Sequence, residues 1–205
     1  MDIAEIIKYL SDSKEIISAG LFAITFVVYA ENGLFFAFFL PGDYLLFLTG
    51  VFVGTGFLKY AIGTVLLYLF VASVVGSLTG FLFGRFFGSN LQNKADTWYF
   101  KQKHLDSTRD FFEKYGSQAL IISRFLPYIR TFAPILAGIS RMSYPKFIFF
   151  NLVGGALWIG SLVGGGYYFG VKFPWIINYV QYVILFFLAI TTFTVVKGYL
   201  NLRKK

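Results

Sequence analysis

Two arginines lie inside an apolar stretch that two prolines interrupt. Residues 123–138 read S-R-F-L-P-Y-I-R-T-F-A-P-I-L-A-G, with Arg124 and Arg130 among apolar side chains and with Pro127 and Pro134 nearby. An arginine at bilayer depth is costly and almost always has a partner or a ligand. Proline disrupts helical hydrogen bonding, and non-helical backbone at that depth persists only where protein or a wet cavity surrounds it. The stretch predicts a broken, re-entrant membrane segment that carries two permanent positive charges.

The composition places the whole chain in a membrane. Charged residues make up 14% and hydrophobic residues 57% of the 205 residues, whereas soluble domains contain about 25% charged residues. The absence of cysteine excludes disulfides and thiolate metal sites, and neither a metal nor a cofactor is predicted. The net charge of +8 is typical of positive cytoplasmic loops and a basic tail rather than of nucleic-acid binding. The acidic N-terminus argues against a signal peptide, so the plasma membrane is the expected location.

The order of polar and apolar stretches divides the chain into five segments. The first is short and amphipathic, which is typical of a helix lying at the membrane interface, with a cap on the first span as the alternative. The segments are an amphipathic N-terminal segment over 1–15, a first repeat over 16–88, a polar interfacial segment over 89–114, a second repeat over 115–171, and a final transmembrane helix with a basic tail over 172–205.

An acidic hairpin is predicted over residues 31–56. The apolar run that contains it is longer than the roughly 20 residues of one spanning helix, and its Pro41-Gly42 dipeptide is a turn signal. The chain is therefore expected to enter the membrane and return, with Pro41 and Gly42 at the tip. Asp43 could cap the helix after the turn or serve function. Glu31 lies in mid-run, where function is the favoured explanation.

Three apolar runs are predicted to span the membrane. They cover residues 60–87, 147–169 and 176–196. Glycines at four-residue spacing in the first span line one helix face and allow another backbone to approach closely. The basic tail after the last span predicts a cytoplasmic C-terminus. The glycines of the first span are Gly76, Gly80, Gly84 and Gly88.

Short motifs recur in the same order in both halves of the chain. F-L-P occurs at 39–41 and 125–127, and G-S-L-x-G occurs at 76–80 and 160–164. Internal repeats with broken segments at matching positions point to a transporter binding site. With the tail inside, the acidic hairpin opens outward and the arginine hairpin opens inward. The predicted fold class is an all-α polytopic membrane protein, an inverted repeat of two re-entrant helical hairpins plus glycine-rich transmembrane helices.

The two hairpins are expected to bring opposite charges into one chamber at mid-membrane. Glu31 and Asp43 lie in the first hairpin, Arg124 and Arg130 lie in the second, and no acidic residue follows Glu113. Arginine keeps its proton and binds phosphate or carboxylate with paired donors, whereas a carboxylate excluded from water takes up a proton more readily. These residues predict proton-coupled anion exchange, in which protonation of an acid releases an arginine for an anionic headgroup.

These motifs resemble those of the DedA family of membrane proteins, whose members contain a VTT domain. The resemblance is carried by E-N-G-L-F-F-A-F-F-L-P-G-D at 31–43, by G-S-Q-A-L-I-I-S-R-F-L-P-Y-I-R at 116–130 followed by Gly138, and by N-L-V-G-G-A-L-W-I-G at 151–160. It extends over roughly residues 30–170. One departure is Asp43, where the family often has Glu, so the carboxylate chemistry is retained with a shorter reach.

The resemblance implies a lipid transporter with paired re-entrant hairpins. Family members are implicated in flipping undecaprenyl phosphate and in moving phospholipids such as phosphatidylethanolamine between leaflets, with proton-motive force implicated in some. The resemblance also implies that Glu31, Asp43, Arg124 and Arg130 are functionally essential. We therefore expect a proton-coupled flippase for undecaprenyl phosphate, in which the arginines bind the phosphate and the carboxylates carry protons. Its expected partners are an anionic lipid, protons and the membrane.

Several alternatives use the same residues. A phospholipid scramblase or a proton/cation antiporter would employ the same site. A structural scaffold would use the arginines only in ion pairs, although buried pairs contribute little net stability. An intramembrane phosphatase would need a histidine nucleophile and a general acid, but the only histidine, His104, lies in the polar segment. We expect no enzymatic activity, and the oligomeric state, including a homo-oligomer, is left open.

Overall fold

The computed structural model describes residues 14–34, 42–92, 110 and 112–179. Within these ranges the regular elements are all helical, so the all-α prediction is confirmed for the described chain. The predicted segments over 1–15 and 89–114 and the last span over 176–196 lie mostly outside these residues. The α-helices are α1 Lys14–Gly33, α2 Gly42–Gly54, α3 Ile62–Gln92, α4 Ala119–Ile122, α5 Pro127–Ile139 and α6 Tyr144–Lys172, and 3-10 helices cover Gly116–Gln118, Ser123–Phe125 and Pro174–Tyr179.

The chain forms two compact units. The first contains α1, α3 from Gly63 onward, α4, α5 and α6 as far as Ser161. The second contains α2, the connection to Ile62, and α6 from Leu162 onward. Each unit therefore takes residues from both of the predicted repeats.

Among the described residues, two helices are long and apolar enough to cross a bilayer. They are Ile62–Phe87 within α3 and the whole of α6, which contain 26 and 29 residues. At about 1.5 Å per residue both exceed the hydrocarbon thickness of about 30 Å. Large apolar side chains project outward from them, among them Leu67, Phe86 and Phe149. An outer surface of this kind suits lipid rather than water.

Glycines on α3 form a packing face of the first unit. A Cβ built on Gly76 would meet the backbone of α1 at Tyr29, and a Cβ built on Gly84 would meet the backbone of α5 at Ile135. Small residues at such positions let two helix backbones approach closely. The predicted glycine face is confirmed at these two positions, whereas Gly88 lies outside the residues whose surroundings are described.

Aromatic rings and small side chains fill the core of the first unit. The rings of Phe81 and Phe147 stack with their centroids 4.1 Å apart, and Ala133 and Ala137 of α5 are buried in the same cluster. This packing fixes α5, the helix that carries Arg130, against α3 and α6.

In the second unit α2 packs against the C-terminal part of α6, again through glycines. A Cβ built on Gly50 would meet the backbone of Val163, and a Cβ built on Gly166 would meet the backbone of Phe47. Because neither glycine carries a side chain, the two helix backbones lie in direct contact.

The backbone breaks between α4 and α5. Ser123–Phe125 forms a 3-10 turn, Leu126 is extended with φ −120° and ψ 106°, and Pro127 stands at the start of α5. Proline is well tolerated there, because the first amides of a helix have no intrahelical acceptor. The break predicted at Pro127 therefore lies immediately before that residue.

Pro134 does not interrupt the helix in which it lies. It lies inside α5, so its prediction as a hairpin break is wrong. A proline inside a membrane helix is tolerated where neighbouring helices support the backbone around it. Pro134 is buried, and its Cβ would lie 3.6 Å from a Cβ built on Gly80 of α3.

Other predicted boundaries also differ from the structure. The helix α1 continues through Glu31 to Gly33, so no separate element begins at residue 31. The helix α6 starts at Tyr144 and includes Pro145 in its first turn, where proline is allowed. Of the predicted tip, Pro41 lies outside the described residues and Gly42 is the first residue of α2.

Candidate functional site

A buried ion pair joins α1 to α5. The Nη2 atom of Arg130 donates a hydrogen bond to Oε1 of Glu31, and these two residues are 3% and 0% exposed. The hydroxyl of Thr131 donates to the backbone carbonyl of Glu31 at 3.1 Å, which holds the two helices side by side. A charge-assisted bond of this kind is stronger than a neutral one, and removing one partner leaves an uncompensated buried charge.

Neutral oxygens surround the second guanidinium. Among the described residues, Arg124 donates to the hydroxyls of Ser73 and Ser77 and to the side-chain and backbone oxygens of Asn151. Its Nη1 atom also lies 3.5 Å from Oδ1 of Asn32. Arg124 is 3% exposed. The acceptors described for this buried charge are therefore hydroxyl, amide and carbonyl dipoles. We call Ser73, Ser77 and Asn151 the neutral cradle.

One ring and one glycine of α6 complete the arrangement. The Cζ atom of Arg130 lies 4.7 Å from the ring centroid of Trp158, and that of Arg124 lies 6.0 Å from it. Cation–π attraction contributes about 2 kcal/mol or more when it is desolvated. Gly154 makes room for Arg124, because a Cβ built there would lie 3.1 Å from the Cδ atom of that arginine.

The structure places three of the four predicted charged residues in the first unit. Glu31, Arg124 and Arg130 form one cluster, in which Nη1 of Arg130 also approaches the backbone carbonyl of Arg124 at 3.4 Å. Asp43 belongs to the second unit and lies in the first turn of α2. Because α2 begins at Gly42, Asp43 lies inside the helix rather than at its N-cap, in a turn where a negative charge is favourable. Its role in proton coupling stays a prediction.

The neutral residues around Arg124 were not among the residues predicted from the sequence. Ser73 and Ser77 are four positions apart in α3, and Asn151 and Trp158 are seven positions apart in α6. Residues at these spacings lie on one helix face. Polar residues at helical spacing inside otherwise apolar spans are the sequence signal from which Ser73, Ser77 and Asn151 could have been predicted.

The described cluster carries an excess of positive charge. It contains two guanidinium groups and one carboxylate. The described residues include no group of three His, Cys, Asp or Glu side chains that could hold a metal ion. Guanidinium groups bind phosphate and carboxylate well, so the arrangement is suited to an anion.

Long apolar helices with outward apolar side chains, together with buried charges, define an integral membrane protein with a polar site in its interior. Residues 40–168 match the VTT domain family. The chain is 36% identical over 151 residues to Protein DedA of Escherichia coli K12, covering 73% of this chain and 69% of that protein. The chain therefore belongs to the DedA family of membrane proteins, as its motifs predicted.

Two further relatives are also membrane proteins by name. Uncharacterized membrane protein ML0287 of Mycobacterium leprae is 38% identical over 173 residues, covering 82% of this chain and 74% of that protein. Inner membrane protein YqjA of Escherichia coli K12 is 34% identical over 158 residues, covering 77% of this chain and 70% of that protein. No solved structure matches the chain.

Proposed function

We propose that this chain is a proton-coupled lipid flippase that carries undecaprenyl phosphate between leaflets. Arg124 and Arg130 bind the phosphate, while Glu31 and Asp43 carry protons. The protein binds and moves its substrate rather than cleaving it, since the described cluster supplies cations, amides and hydroxyls. The chain's only histidine, His104, lies in the polar segment.

The observation that carries this proposal is the unequal partnering of two adjacent buried arginines. Arg130 is held by a carboxylate, whereas the acceptors described for Arg124 are neutral. A buried ion pair such as that of Glu31 and Arg130 contributes little net stability on its own. An anionic headgroup would compensate the excess positive charge that the described cluster carries.

Coupling follows from competition for Arg130. When Glu31 is ionised, it accepts a charge-assisted hydrogen bond from this guanidinium. When Glu31 takes up a proton, that bond is weakened and a phosphate oxygen can compete for the guanidinium. Binding of one phosphate thus accompanies uptake of one proton at the same pair. Release of the lipid returns the pair to its ionised state and discharges the proton.

In this proposal, two re-entrant hairpins related as an inverted repeat let the lipid reach the cluster from both leaflets. The break at Leu126 supports the second hairpin, because non-helical backbone at membrane depth is found beside a cavity or inside protein. The recurring F-L-P and G-S-L-x-G motifs support the repeat.

A proton/cation antiporter is a second candidate, and the buried Glu31–Arg130 pair is the observation that favours it. A carboxylate that exchanges a proton inside a membrane can drive ion movement without any lipid. A phospholipid scramblase would use the same arginines without a proton gradient.

The test is a flip assay in proteoliposomes with a labelled polyprenyl phosphate and with labelled phosphatidylethanolamine, each with and without a pH gradient. The proposal predicts gradient-dependent movement of the polyprenyl phosphate and its loss in Arg124→Gln. Arg141→Gln is the matched control, because Arg141 is exposed. Gradient-independent movement of both lipids would identify a scramblase, and proton flux without lipid movement would identify an antiporter.

A further inference from the structure

We infer that Arg85 and Tyr144 form a second lipid site, which binds the phosphodiester headgroup of an anionic phospholipid at the membrane surface. This site lies apart from the buried arginine cluster. Arg85 is eight residues beyond Ser77, the residue of α3 that accepts a hydrogen bond from Arg124, which is about 12 Å along the helix axis. The inference does not rest on the proposed function, because the lipid bound here is a fixed neighbour of the protein rather than a carried substrate.

Arg85 lies where α3 reaches the membrane surface. The apolar part of α3 ends at Phe87, two residues after Arg85, and Arg85 itself is partly buried. An arginine near the end of a membrane helix extends its apolar stem along the protein and places its charge at the interface. The guanidinium therefore lies at the depth of lipid phosphates.

Contacts with the α5–α6 connection and with two rings hold the guanidinium of Arg85 in place. Its Nη1 atom donates to the backbone carbonyl of Met142 at 2.9 Å. Its Cζ atom lies 4.5 Å from the ring centroid of Tyr144 and 5.8 Å from that of Phe81. The Tyr144 ring in turn meets the buried Phe81 ring edge to face, with centroids 5.4 Å apart. A side chain held in this way loses little further freedom when it binds a ligand.

Arg85 retains hydrogen-bond donors for such a ligand. A guanidinium carries five N–H donors. Within the described part of the chain Arg85 donates one hydrogen bond, whereas Arg124 donates five. In the same residues no ion pair includes Arg85. A partly exposed arginine with this partnering can bind a phosphate through paired N–H donors.

An exposed apolar stripe on α6 begins at the same place. Tyr144, Ile148 and Leu152 are four residues apart, so they lie on one helix face, and they are 39%, 42% and 40% exposed. The stripe extends about 12 Å from the ring that contacts Arg85. A ligand with a phosphate at one end and an acyl chain at the other matches this arrangement. A zwitterionic headgroup brings its own cation and gains less from the arginine.

The experiment measures lipid binding to the full-length protein in detergent by native mass spectrometry. The probes are phosphatidylglycerol and phosphatidylcholine with the same acyl chains, and the readout is the ratio of their dissociation constants. Arg85→Gln removes the charge, and Arg85→Lys keeps the charge without the two-pronged donor geometry. Lys146→Gln is the matched control, because this exposed cation lies two residues after Tyr144 and does not share its helix face.

We expect the wild-type protein to prefer phosphatidylglycerol. Arg85→Gln should reduce this preference about tenfold, and Arg85→Lys should reduce it several-fold, because charge-assisted hydrogen bonds are lost. Lys146→Gln should change it by less than about twofold, as is typical of an exposed charge. If Arg85 only supported the turn at Met142, its variants would melt at lower temperature in lipid-free detergent with an unchanged preference.

Three results would overturn this inference while leaving the proposed function untouched. The first is an Arg85→Lys variant with the wild-type preference. The second is an equal loss in Lys146→Gln, which would indicate general attraction to positive charge. The third is displacement of phosphatidylglycerol by glycerol phosphate at equal concentration, which would indicate a site for soluble phosphate. If the Arg85 variants do not fold, Tyr144→Leu removes the ring and retains the apolar stripe, and an unchanged preference in that variant would overturn the inference as well.

Discussion

At the scale of single residues, the two buried arginines have different partners. Arg130 is paired with Glu31, and Arg124 lies among hydroxyl and amide groups. A buried ion pair is costly to break from one side, because the remaining charge is left without compensation, whereas replacing both partners restores a neutral site. The stability of the pair can therefore be separated from its function.

Neutralising one member of the pair tests this separation. We expect Arg130→Gln to lower the free energy of unfolding by about 3–5 kcal/mol and the double variant with Glu31→Gln to recover most of that loss. Chemical denaturation in detergent, followed by tryptophan fluorescence, measures both values. Neither variant should carry the lipid with proton coupling. A double variant no more stable than the single one would argue against the ion pair.

A methyl group near Arg124 tests the position of its guanidinium. Gly154→Ala would place a Cβ 3.1 Å from Cδ of Arg124 and 3.2 Å from Cα of Ile121, so the Arg124 side chain must give way by a few tenths of an ångström. Flipping activity is expected to fall several-fold while the protein remains folded. Gly160→Ala in the same helix is the control, because no described heavy atom lies within 4 Å of a Cβ at that position. Equal activity in the two variants would contradict the role given to Gly154.

At the scale of helices, close backbone contacts decide how the first unit assembles. A Cβ on Gly84 would meet the backbone of Ile135, and a Cβ on Gly138 would meet the backbone of Phe81, so α3 and α5 each supply a glycine to one contact. The two copies of the G-S-L-x-G motif differ in this respect. Gly76 packs tightly on α1, whereas Gly160 is exposed.

Substitutions one helical turn apart test the contact between α3 and α5. Gly84→Ala is expected to destabilise the protein by about 1–3 kcal/mol, because the added methyl group forces two backbones apart. Gly80→Ala is the matched control, since a Cβ there would lie at an ordinary 3.6 Å from Ile135 and Pro134. Thermal unfolding in detergent compares the two, and equal midpoints would contradict the close contact.

At the scale of the whole molecule, the proposed topology makes α3 and α6 cross the bilayer in opposite directions. Because the chain contains no cysteine, single cysteines can be introduced without background labelling. We expect Lys59→Cys and Lys172→Cys to react with an impermeant maleimide from outside the cell. Tyr115→Cys and Arg141→Cys should react only after the membrane is permeabilised. Labelling of Lys59→Cys and Tyr115→Cys from the same side would contradict the inverted repeat.

The sequence alone determined the class, the family and the charged residues worth examining. Composition and the length of apolar runs are averages over many residues, so they predict a helical membrane protein whatever the details of packing. Arg124, Arg130 and Glu31 stood out because a charge in an apolar run is costly at any depth of the bilayer. The close glycine contacts of α3 followed from a local four-residue spacing.

Only the tertiary structure decided which groups these residues meet. Glu31 and Arg130 are 99 positions apart, and Arg124 and Ser77 are 47 positions apart, so no local pattern specifies either contact. The same is true of Pro134, whose helix persists because α3 packs against it. Local patterns fix what each segment is, whereas the packing of distant helices fixes which arginine is paired with an acid and which is held by neutral groups.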